Sequence, residues 1–537
     1  MTTEKKLLGI SPSGGPTDVA DVFSTQLYTG NATARSITNG IDLAGEGGMV
    51  WTKQRSSTGR PSIVDTERGN TKYLKTDVTG SQDTSTDSIT AFNSNGYNLG
   101  ADTGSGAKFN TNNVTHVSWT FRKKKKFFDV VTPWTGNDVS GRTIAHGLDG
   151  PVGMIIAKRT NASQDWVVWH KDLASTKYLT LNTTAAEATS TAIWTSTAPT
   201  STVFSVGDGA WVNSGGSSYV AYVFADNSSE DAEDQMIKCG SYTGNGYATH
   251  IDINLGWEPQ FVLLKNATAS GGDLNWQILD TMRGYGVRQS NEYAGTTRLR
   301  ANTSDAEQNP GSYYGGISST GFSAYEDNVS YSGDTYIYMA IRAPMMVEPK
   351  AATDVFAIDT WGSTGDGKKP ALRSGFPVDL AIRRSTAGGN VSLQSRLTGG
   401  NYFRVNTSNA QAYDQVVFDY NNGYYGGTDT NAAFHAYMWK RAKGYMDAVA
   451  YSGSGSNRTI PHSLGVVPEM IWVKSRSNVK SFGVYHPSSH AAGNTIFLDN
   501  DHAGAGVGSF QSTAVSATTF NVDTAEYTNE SGWTYIA

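Results

Sequence analysis

The chain has 537 residues, a formal net charge of −6 and a charged fraction of only 17%. This balance argues against general nucleic-acid binding, and the single cysteine, Cys239, excludes an internal disulfide framework. The segment that begins at Met1 lacks the apolar core of a signal peptide, and no apolar run approaches the length of a membrane span. We therefore expect a protein that is made in a cytoplasm.

Short apolar runs of roughly four to seven residues, rich in aromatic and β-branched side chains, recur from one end of the chain to the other. Turn signals such as Asn95-Gly96 separate them. No segment shows the 3.6-residue periodicity of a helix. The pattern predicts an all-β fold, a tandem array of about five similar antiparallel β-sandwich domains. A jelly-roll or lectin-like order of strands stays open, because the sequence does not determine it.

The array is predicted from internal repetition. The stretch T-I-A-H-G-L from Thr143 aligns without a gap with T-I-P-H-S-L from Thr459, and the match continues far downstream. Each copy has an apolar run that ends in a basic residue, then a short strand leading into Asn, Ser or Thr, then a closing strand. The basic residues are Lys53, Lys158, Lys265, Arg383 and Lys474.

These anchors divide the chain into repeats of roughly 100 residues, the usual size of a domain. We predict a polar docking segment at 1–22 and sandwiches at 23–126, 127–235, 236–350, 351–444 and 445–537. The closing strand of the fifth repeat is shorter than its counterparts, which suggests a sequence that is cut short or a strand completed by another chain. Because the joins are short, we expect a stiff rod of stacked domains.

Histidines occupy matching positions in two repeats: His146 matches His462, and His170 matches His486. A zinc site would need a third and a fourth ligand, and nothing recurs that could supply them. We therefore predict structural roles in turns, with no metal and no cofactor. The acidic link Asp226 to Asp234 fits no defined calcium loop and is interpreted as a solvated linker.

Asp65 and Glu67 lie two residues apart, a spacing that could place two carboxylates on one face of a strand for glycoside hydrolysis. The matching stretch of the third repeat has Met282 in place of Glu67. We therefore predict that Asp65 pairs with Arg68 as a turn or ion-pair device, and that Asp280 does the same in its repeat. No nucleophile elbow, phosphate-binding loop or zinc-protease motif is present, so we do not expect an enzyme.

Two features could contact a glycan or a partner protein. A basic run could meet anionic sugars or an acidic subunit, and tyrosine pairs in Gly-rich loops could stack on sugar rings. The candidate residues are Arg122, Lys123, Lys124, Lys125, Lys126, Tyr313, Tyr314, Tyr424 and Tyr425.

Several motifs resemble a repeat found in virion structural proteins of tailed bacteriophages, many of them marine. These are F-S-T-Q-L-Y-T-G-N at Phe23, I-T-N-G-I-D-L-A-G-E-G-G-M-V-W-T-K at Ile37, D-T-E-R-G at Asp65, F-F-D-V-V at Phe127 and the T-I-x-H-x-L units. The resemblance covers nearly the whole chain beyond about residue 20. It supplies no catalytic residues.

This resemblance implies a tail fibre or tail appendage that mediates attachment to the host surface. Its partners would be other virion proteins and a host glycan or receptor, and a homotrimer is expected by analogy with fibres. The protein would be assembled into the virion in the host cytoplasm. The alternatives are a capsid decoration protein, a surface-polysaccharide-binding lectin or adhesin, and a depolymerase.

Overall fold

The structure is a computed structural model that describes residues 18–104, 106, 108–231, 234–246, 250–286, 297–308, 315–325, 327–361, 370–414, 416–427, 434–490, 494–500, 506 and 508–537. It confirms the predicted all-β fold, with 42% of residues in strands and 5% in helices. The α-helices are α1 (Leu43–Glu46), α2 (Asp327–Ser330) and α3 (Pro487–His490). Single 3₁₀ turns cover Val19–Asp21, Thr281–Arg283, Ala352–Asp354 and Arg396–Thr398. Within the described ranges, no helix is long and apolar enough to cross a membrane.

The first two repeats have the same order of strands in their larger sheets. The strands of the first are β1 (Phe23–Thr29), β2 (Arg35–Thr38), β3 (Gly48–Gln54), β4 (Ser62–Asp65), β5 (Lys72–Lys75), β6 (Asp83–Thr84), β7 (Ile89–Asn93), β8 (Gly96–Leu99) and β9 (Thr115–Arg122). Those of the second are β10 (Phe128–Thr135), β11 (Arg142–Ala145), β12 (Val152–Arg159), β13 (Val167–His170), β14 (Lys177–Thr180), β15 (Ala188–Thr189), β16 (Val203–Val206) and β17 (Ser218–Ala225).

The remaining repeats follow the same plan. Those of the third are β18 (Ile237–Thr243), β19 (Ile251–Asn254), β20 (Pro259–Asn266), β21 (Gln277–Asp280), β22 (Leu299–Arg300), β23 (Gly315–Ser318), β24 (Gly321–Ala324) and β25 (Thr335–Arg342). Those of the fourth are β26 (Phe356–Thr360), β27 (Leu372–Arg373), β28 (Leu380–Ser385), β29 (Ser392–Ser395), β30 (Asn401–Arg404), β31 (Ala412–Tyr413), β32 (Gly423–Tyr424) and β33 (Phe434–Trp439). Those of the fifth are β34 (Ala450–Ser452), β35 (Arg458–Pro461), β36 (Ile471–Ser475), β37 (Gly483–Tyr485), β38 (Ile496–Phe497), β39 (Phe510–Val515), β40 (Thr519–Val522) and β41 (Thr534–Ile536).

Each repeat has one larger and one smaller antiparallel sheet. In the first repeat the larger sheet has the order β1-β9-β3-β4-β5-β6, and the smaller has the order β2-β8-β7. The first strand thus forms one edge of the larger sheet and pairs with the closing strand of its own repeat. The other four repeats have the same relationship between first and closing strands.

The larger sheet of the first repeat is buried on both faces. Val50 and Val64 point inward and pack against Ile37 of the smaller sheet. Trp51 and Ile63, one residue along each strand, point to the opposite face and belong to a separate core that contains residues of the second and third repeats. Burial on both faces explains why apolar residues follow one another from Met49 to Trp51 in β3, since a sheet with one face in water would alternate apolar and polar residues. We call the face opposite the smaller sheet the outer face.

The outer faces of the first three repeats meet around Phe121. Its ring centroid lies 5.6 Å from that of Phe224 in the second repeat and 6.1 Å from that of Phe261 in the third. The first repeat also contacts the fourth, where the Asn421 side-chain amide donates to the Leu27 carbonyl oxygen at 2.8 Å. The expectation of a rod of stacked domains is therefore wrong for these four repeats. Burying an apolar outer face requires a partner, and the first three repeats supply partners to one another.

Residues 18–22 of the predicted docking segment are packed against the same chain. Val19 and Val22 are buried in the core shared by the first three repeats. The Asp18 carboxylate accepts a hydrogen bond from the Met345 backbone N–H at 3.1 Å, at the end of the third repeat. These residues are thus part of the folded unit. The rest of the predicted docking segment, 1–17, lies outside the described residues.

Candidate functional site

The most elaborate polar chemistry of the chain lies where repeats meet. Asp65, at the end of β4, accepts hydrogen bonds from the backbone N–H of Arg68 at 2.8 Å and from its Nε at 2.6 Å. The hydroxyl of Tyr222, from the second repeat, donates to the same carboxylate at 2.8 Å. Burial raises the pKa of Tyr222, so the phenol stays a neutral donor. This cluster joins the first repeat to the second.

An equivalent cluster joins the first repeat to the third. Asp280, at the end of β21, accepts from the Arg283 backbone N–H at 2.9 Å and from its Nε at 2.6 Å. The indole N–H of Trp119 in the first repeat donates to this carboxylate at 2.9 Å. All three side chains are buried, and such a charge pair is tolerated only when its hydrogen bonds are satisfied.

The contact between the second and third repeats uses a histidine at the equivalent position. Strand register places His170 opposite Met154, as Asp65 lies opposite Met49. The Nδ1 atom of His170 accepts from the backbone N–H of Asp172 at 3.3 Å, and Nε2 lies 3.1 Å from the carbonyl oxygen of Tyr338. A neutral ring protonated at Nε2 satisfies both contacts. Burial lowers the pKa of His170 to about 4, which favours this neutral form.

Three of the anchor basic residues predicted from the repeats donate across these same interfaces, and a fourth donates between the fourth and fifth repeats. Lys53 Nζ donates to the Thr303 carbonyl oxygen, Lys158 Nζ to that of Thr79 at 2.8 Å, and Lys265 Nζ to that of Thr184 at 3.2 Å. The bonds run from repeat one to three, from two to one and from three to two, so they close a ring. Lys474 of the fifth repeat makes the same bond to Ser408 of the fourth at 2.9 Å.

The surroundings of these lysines depress their basicity. Burial lowers the pKa of Lys53 to about 7 and the pKa of Lys158, Lys265 and Lys474 to about 8. Their hydrogen-bond acceptors at the interfaces are backbone carbonyl oxygens, which compensate less than a carboxylate would. Placed inside interfaces, these amines hold repeats together.

A further network connects three repeats at one point. Arg55 of the first repeat contacts Glu307 of the third at 2.6 Å and Asp419 of the fourth. Arg283 reaches the other oxygen of Glu307 at 2.9 Å. The two guanidinium groups hold the pKa of Glu307 below its usual value despite burial, whereas burial raises that of Asp419. Sequence reasoning missed this junction because its members lie far apart in the chain.

The predicted turn roles of the histidines are confirmed. In each case Nδ1 accepts a hydrogen bond from the backbone N–H two residues later. The accepting rings are those of His146 (3.3 Å), His170 (3.3 Å), His462 (3.2 Å) and His486 (3.3 Å). The predicted Asp-to-Arg pairs are confirmed as well. Glu67 turns away from Asp65 and contacts Lys123 at 2.7 Å, so the two carboxylates do not form a hydrolytic pair.

The basic run faces acidic residues of the same chain. Lys123 also lies 3.5 Å from Asp129, Lys125 contacts Asp149 and Lys126 contacts Glu230, the last two at 3.1 Å. Lys124 pairs through its backbone with Phe128, and Arg122 ends β9. The Lys125 side chain is 73% exposed, so contact between this run and a partner remains a prediction.

The tyrosine pairs have different outcomes. Tyr313 and Tyr314 lie outside the described residues. Tyr424 is fully buried and stacks on Phe418 at 5.1 Å, so the prediction that it contacts a glycan is wrong. Its position in β32, in the smaller sheet, directs the ring into the sandwich core. Tyr425 is half-buried beside Trp361, with ring centroids 5.0 Å apart, and its contact with a glycan stays a prediction.

The acidic link is not merely solvated. Asp226 is buried, contacts Lys171 at 3.2 Å and accepts from the backbone N–H of Cys239 at 3.2 Å, so it joins the second repeat to the third. Among the residues that the structure describes, no three His, Cys, Asp or Glu side chains form a group that could hold a metal ion.

A shallow recess lies between the third and fifth repeats. Asp252, Ser323, Tyr451 and Arg476 are among the residues that line it. Arg476 also reaches across to the fourth repeat, where its Nε donates to the Gln411 side chain at 3.1 Å. Like the buried clusters, this recess is formed by the packing of repeats on one another.

The comparisons place the chain in a family without assigning it an activity. No curated protein matches the sequence. The family described as a domain of unknown function, DUF7483, matches residues 18–344 and 396–537. The first of these spans contains the three repeats that close the ring. The chain therefore belongs to the DUF7483 family.

Proposed function

We propose that this chain is a structural protein of a bacteriophage virion, a tail fibre or another tail appendage that attaches to the host surface. The proposal rests on one observation: polar residues at equivalent positions of the repeats bind neighbouring repeats. Asp65, Asp280 and His170 hold equivalent positions, and each forms a contact with a neighbouring repeat. Side chains used in this way build a rigid scaffold, and they are not displayed in an open cleft.

Rigidity of this kind suits an appendage that must persist outside a cell. The chain has one cysteine, Cys239, so it cannot rely on internal disulfides. The larger sheets of the first three repeats are instead covered by the smaller sheet of the same repeat on one face and by neighbouring repeats on the other, as in the largely buried β12. The resemblance of its motifs to virion structural proteins supports the same conclusion. Attachment would use several weak surface contacts, multiplied by the number of copies on a particle.

The first test is the composition of purified particles. We expect peptides of this chain in tryptic digests of gradient-purified virions, and density for its sandwich repeats at the tail in cryo-EM maps. A copy number comparable with that of the major capsid protein would identify a decoration protein instead. Absence of the chain from particles that remain infectious would refute the virion assignment.

The second test addresses attachment. Host cells preincubated with the purified chain should adsorb phage more slowly, whereas the same chain after heat unfolding should have no effect. Soluble host polysaccharide should keep its molecular size after incubation with the chain. A lasting reduction in that size would identify a depolymerase, and unchanged adsorption at saturating protein would contradict an attachment role.

A further inference from the structure

The outer face of the fourth repeat differs in exposure from those of the first three. In every repeat the first strand pairs with the closing strand, so equivalent residues can be identified from register. Thr25 pairs with Trp119 and Val130 with Tyr222 in the first and second repeats. Ile358 pairs with Tyr437 in the fourth. These pairs are equivalent because each lies two residues along from the pair at the start of the first strand.

Exposure separates the fourth repeat from the others. Trp119 and Tyr222 are fully buried, and each donates a hydrogen bond to a neighbouring repeat. Tyr437, at the same position, is 40% exposed, and its strand partner Ile358 is 58% exposed. The face that the first three repeats bury against one another is thus partly open to solvent in the fourth.

The exposed region forms a continuous apolar strip. Phe356 and Trp439 lie next to Ile358 and Tyr437, and both are half-buried. The ring of Trp439 is 5.3 Å from that of Phe356 and 6.5 Å from that of Tyr437. We call Phe356, Ile358, Tyr437 and Trp439 the repeat-4 strip. None of its side chains is charged, and aromatic residues of this kind contribute most of the free energy in protein interfaces.

We propose that the repeat-4 strip is a self-association surface that is covered by a second copy of this chain. Repeats of this fold bury this same face against repeats of the same fold in the ring of the first three. A second copy presents an identical uncharged strip, so the two can meet across a two-fold axis without opposing like charges. Such a contact gives a dimer and not the homotrimer expected by analogy with fibres. This inference goes beyond the proposed function and does not depend on it.

The size of the strip sets the expected affinity. Four large side chains, two of them already half-buried, supply less than the roughly 800 Å² per partner of a standard interface. Only the part of the interaction free energy that exceeds the cost of association contributes to affinity. We therefore expect a dissociation constant on the order of 1–100 µM. Such a contact would be weak for isolated chains and strengthened when several copies are held on one particle.

Sedimentation velocity on the full chain, from about 1 to 200 µM, tests the proposal. We expect a monomer–dimer equilibrium, with Ile358→Asp weakening dimerisation at least about tenfold. Val139→Asp is the matched control, because Val139 is 56% exposed and lies in the second repeat, away from the strip. A monomer at every concentration would overturn the proposal, as would equal weakening by both variants. Coverage of the strip by a glycan or by an unrelated protein would give the first of these results.

Hydrogen exchange on the unmodified chain keeps the proposal testable if Ile358→Asp does not fold. We expect amide protection in β26 to rise with protein concentration, because β26 is the edge strand beneath the strip. The edge strand β10, in the second repeat, should show no such change. Protection of β26 that does not depend on concentration would also overturn the proposal.

Discussion

Trp119 donates its indole N–H to the carboxylate of Asp280 at 2.9 Å, across the boundary between the first and third repeats. The two residues are separated by 161 positions in the chain. Arg283 shares the same carboxylate and lies 5.4 Å from the ring of Trp119. This one hydrogen bond shows that the array folds back on itself, since a linear arrangement would keep these repeats apart.

Replacing Trp119 with Phe should destabilise the chain through the loss of this bond. Asp280 would keep Arg283 but lose a buried donor, so we expect a loss of about 1 to 3 kcal/mol in the free energy of unfolding. Trp51→Phe is the control, because Trp51 is also fully buried but its Nε1 meets no hydrogen-bond partner in the described part of the chain. Urea unfolding measures both variants. Equal losses would show that the bond to Asp280 contributes nothing beyond packing.

Replacing Arg55 with Met should have a larger effect. The change leaves Asp419 without its guanidinium and removes one of the two that contact Glu307, and breaking a buried pair typically costs about 3 to 5 kcal/mol. Lys125→Met provides the contrast, because Lys125 and Asp149 are 73% and 59% exposed in their pair, and its loss should cost at most about 1 kcal/mol. Thermal unfolding measures the melting temperatures of the two variants. Similar melting temperatures would contradict a stabilising role for the network of Arg55, Glu307 and Asp419.

Stability should rise with pH above neutrality. The pKa of Lys53 is about 7 in the folded chain, and that of Lys158 is about 8, both below the usual 10.5. Between the folded-state pKa of each lysine and 10.5, the lysine is protonated in the unfolded chain but neutral in the folded chain. The free energy of unfolding therefore increases with pH. The window runs from about pH 7 to 10. Denaturant midpoints at pH 7, 8 and 9 should increase in order.

The variant Lys53→Met tests the origin of this slope. Methionine keeps the length of the side chain without an ionisable amine, so the increase in midpoint between pH 7 and 9 should be smaller than in the unmodified chain. Lys125→Met is the control, because the Lys125 side chain is 73% exposed. A midpoint that falls over this range in the unmodified chain, or an identical slope in all three proteins, would contradict the prediction.

Gly153 marks a close approach between the second and third repeats. A Cβ atom there would lie 2.6 Å from Cys239 Sγ and 2.8 Å from the Ala225 carbonyl oxygen. Gly153→Ala should therefore cost about 1 to 3 kcal/mol by overpacking, and adding Cys239→Ala should restore part of it. Gly104→Ala, with open space around its Cβ, should be close to neutral. Urea unfolding of the variants would disprove the idea if Gly153→Ala were as stable as Gly104→Ala.

Much of the fold was predictable because it is set by local pattern. Repetition indicated an all-β array of about five similar units. The interpretation of Asp65 with Arg68 and of His146 as turn devices was correct, since these bonds join residues close in sequence. The repeat pattern identifies Lys53 and the other anchor basic residues, but it does not predict that they bind a neighbouring repeat. A lysine closing an apolar run indicates a strand end, whereas its acceptor, the carbonyl oxygen of Thr303, lies in another repeat.

The packing of repeats could not be predicted for a physical reason. Consecutive apolar residues such as Met49 to Trp51 in β3 indicate that both faces of a sheet are buried, but they do not say what covers the second face. Tyr424 shows that composition can also suggest exposure where a residue is buried. A tyrosine in a Gly-rich segment has the composition of an exposed loop, yet it is the fully buried end of a strand.

The 161 positions between Trp119 and Asp280 have a consequence during synthesis. Ribosomes add residues one at a time, and domains generally fold as they emerge. The first repeat therefore leaves the exit tunnel with Trp119 and Phe121 uncovered, and Trp119 lacks its partners of the third repeat until Phe261 and Asp280 have been translated. The nascent chain therefore passes through an interval in which an apolar sheet is exposed and prone to aggregate.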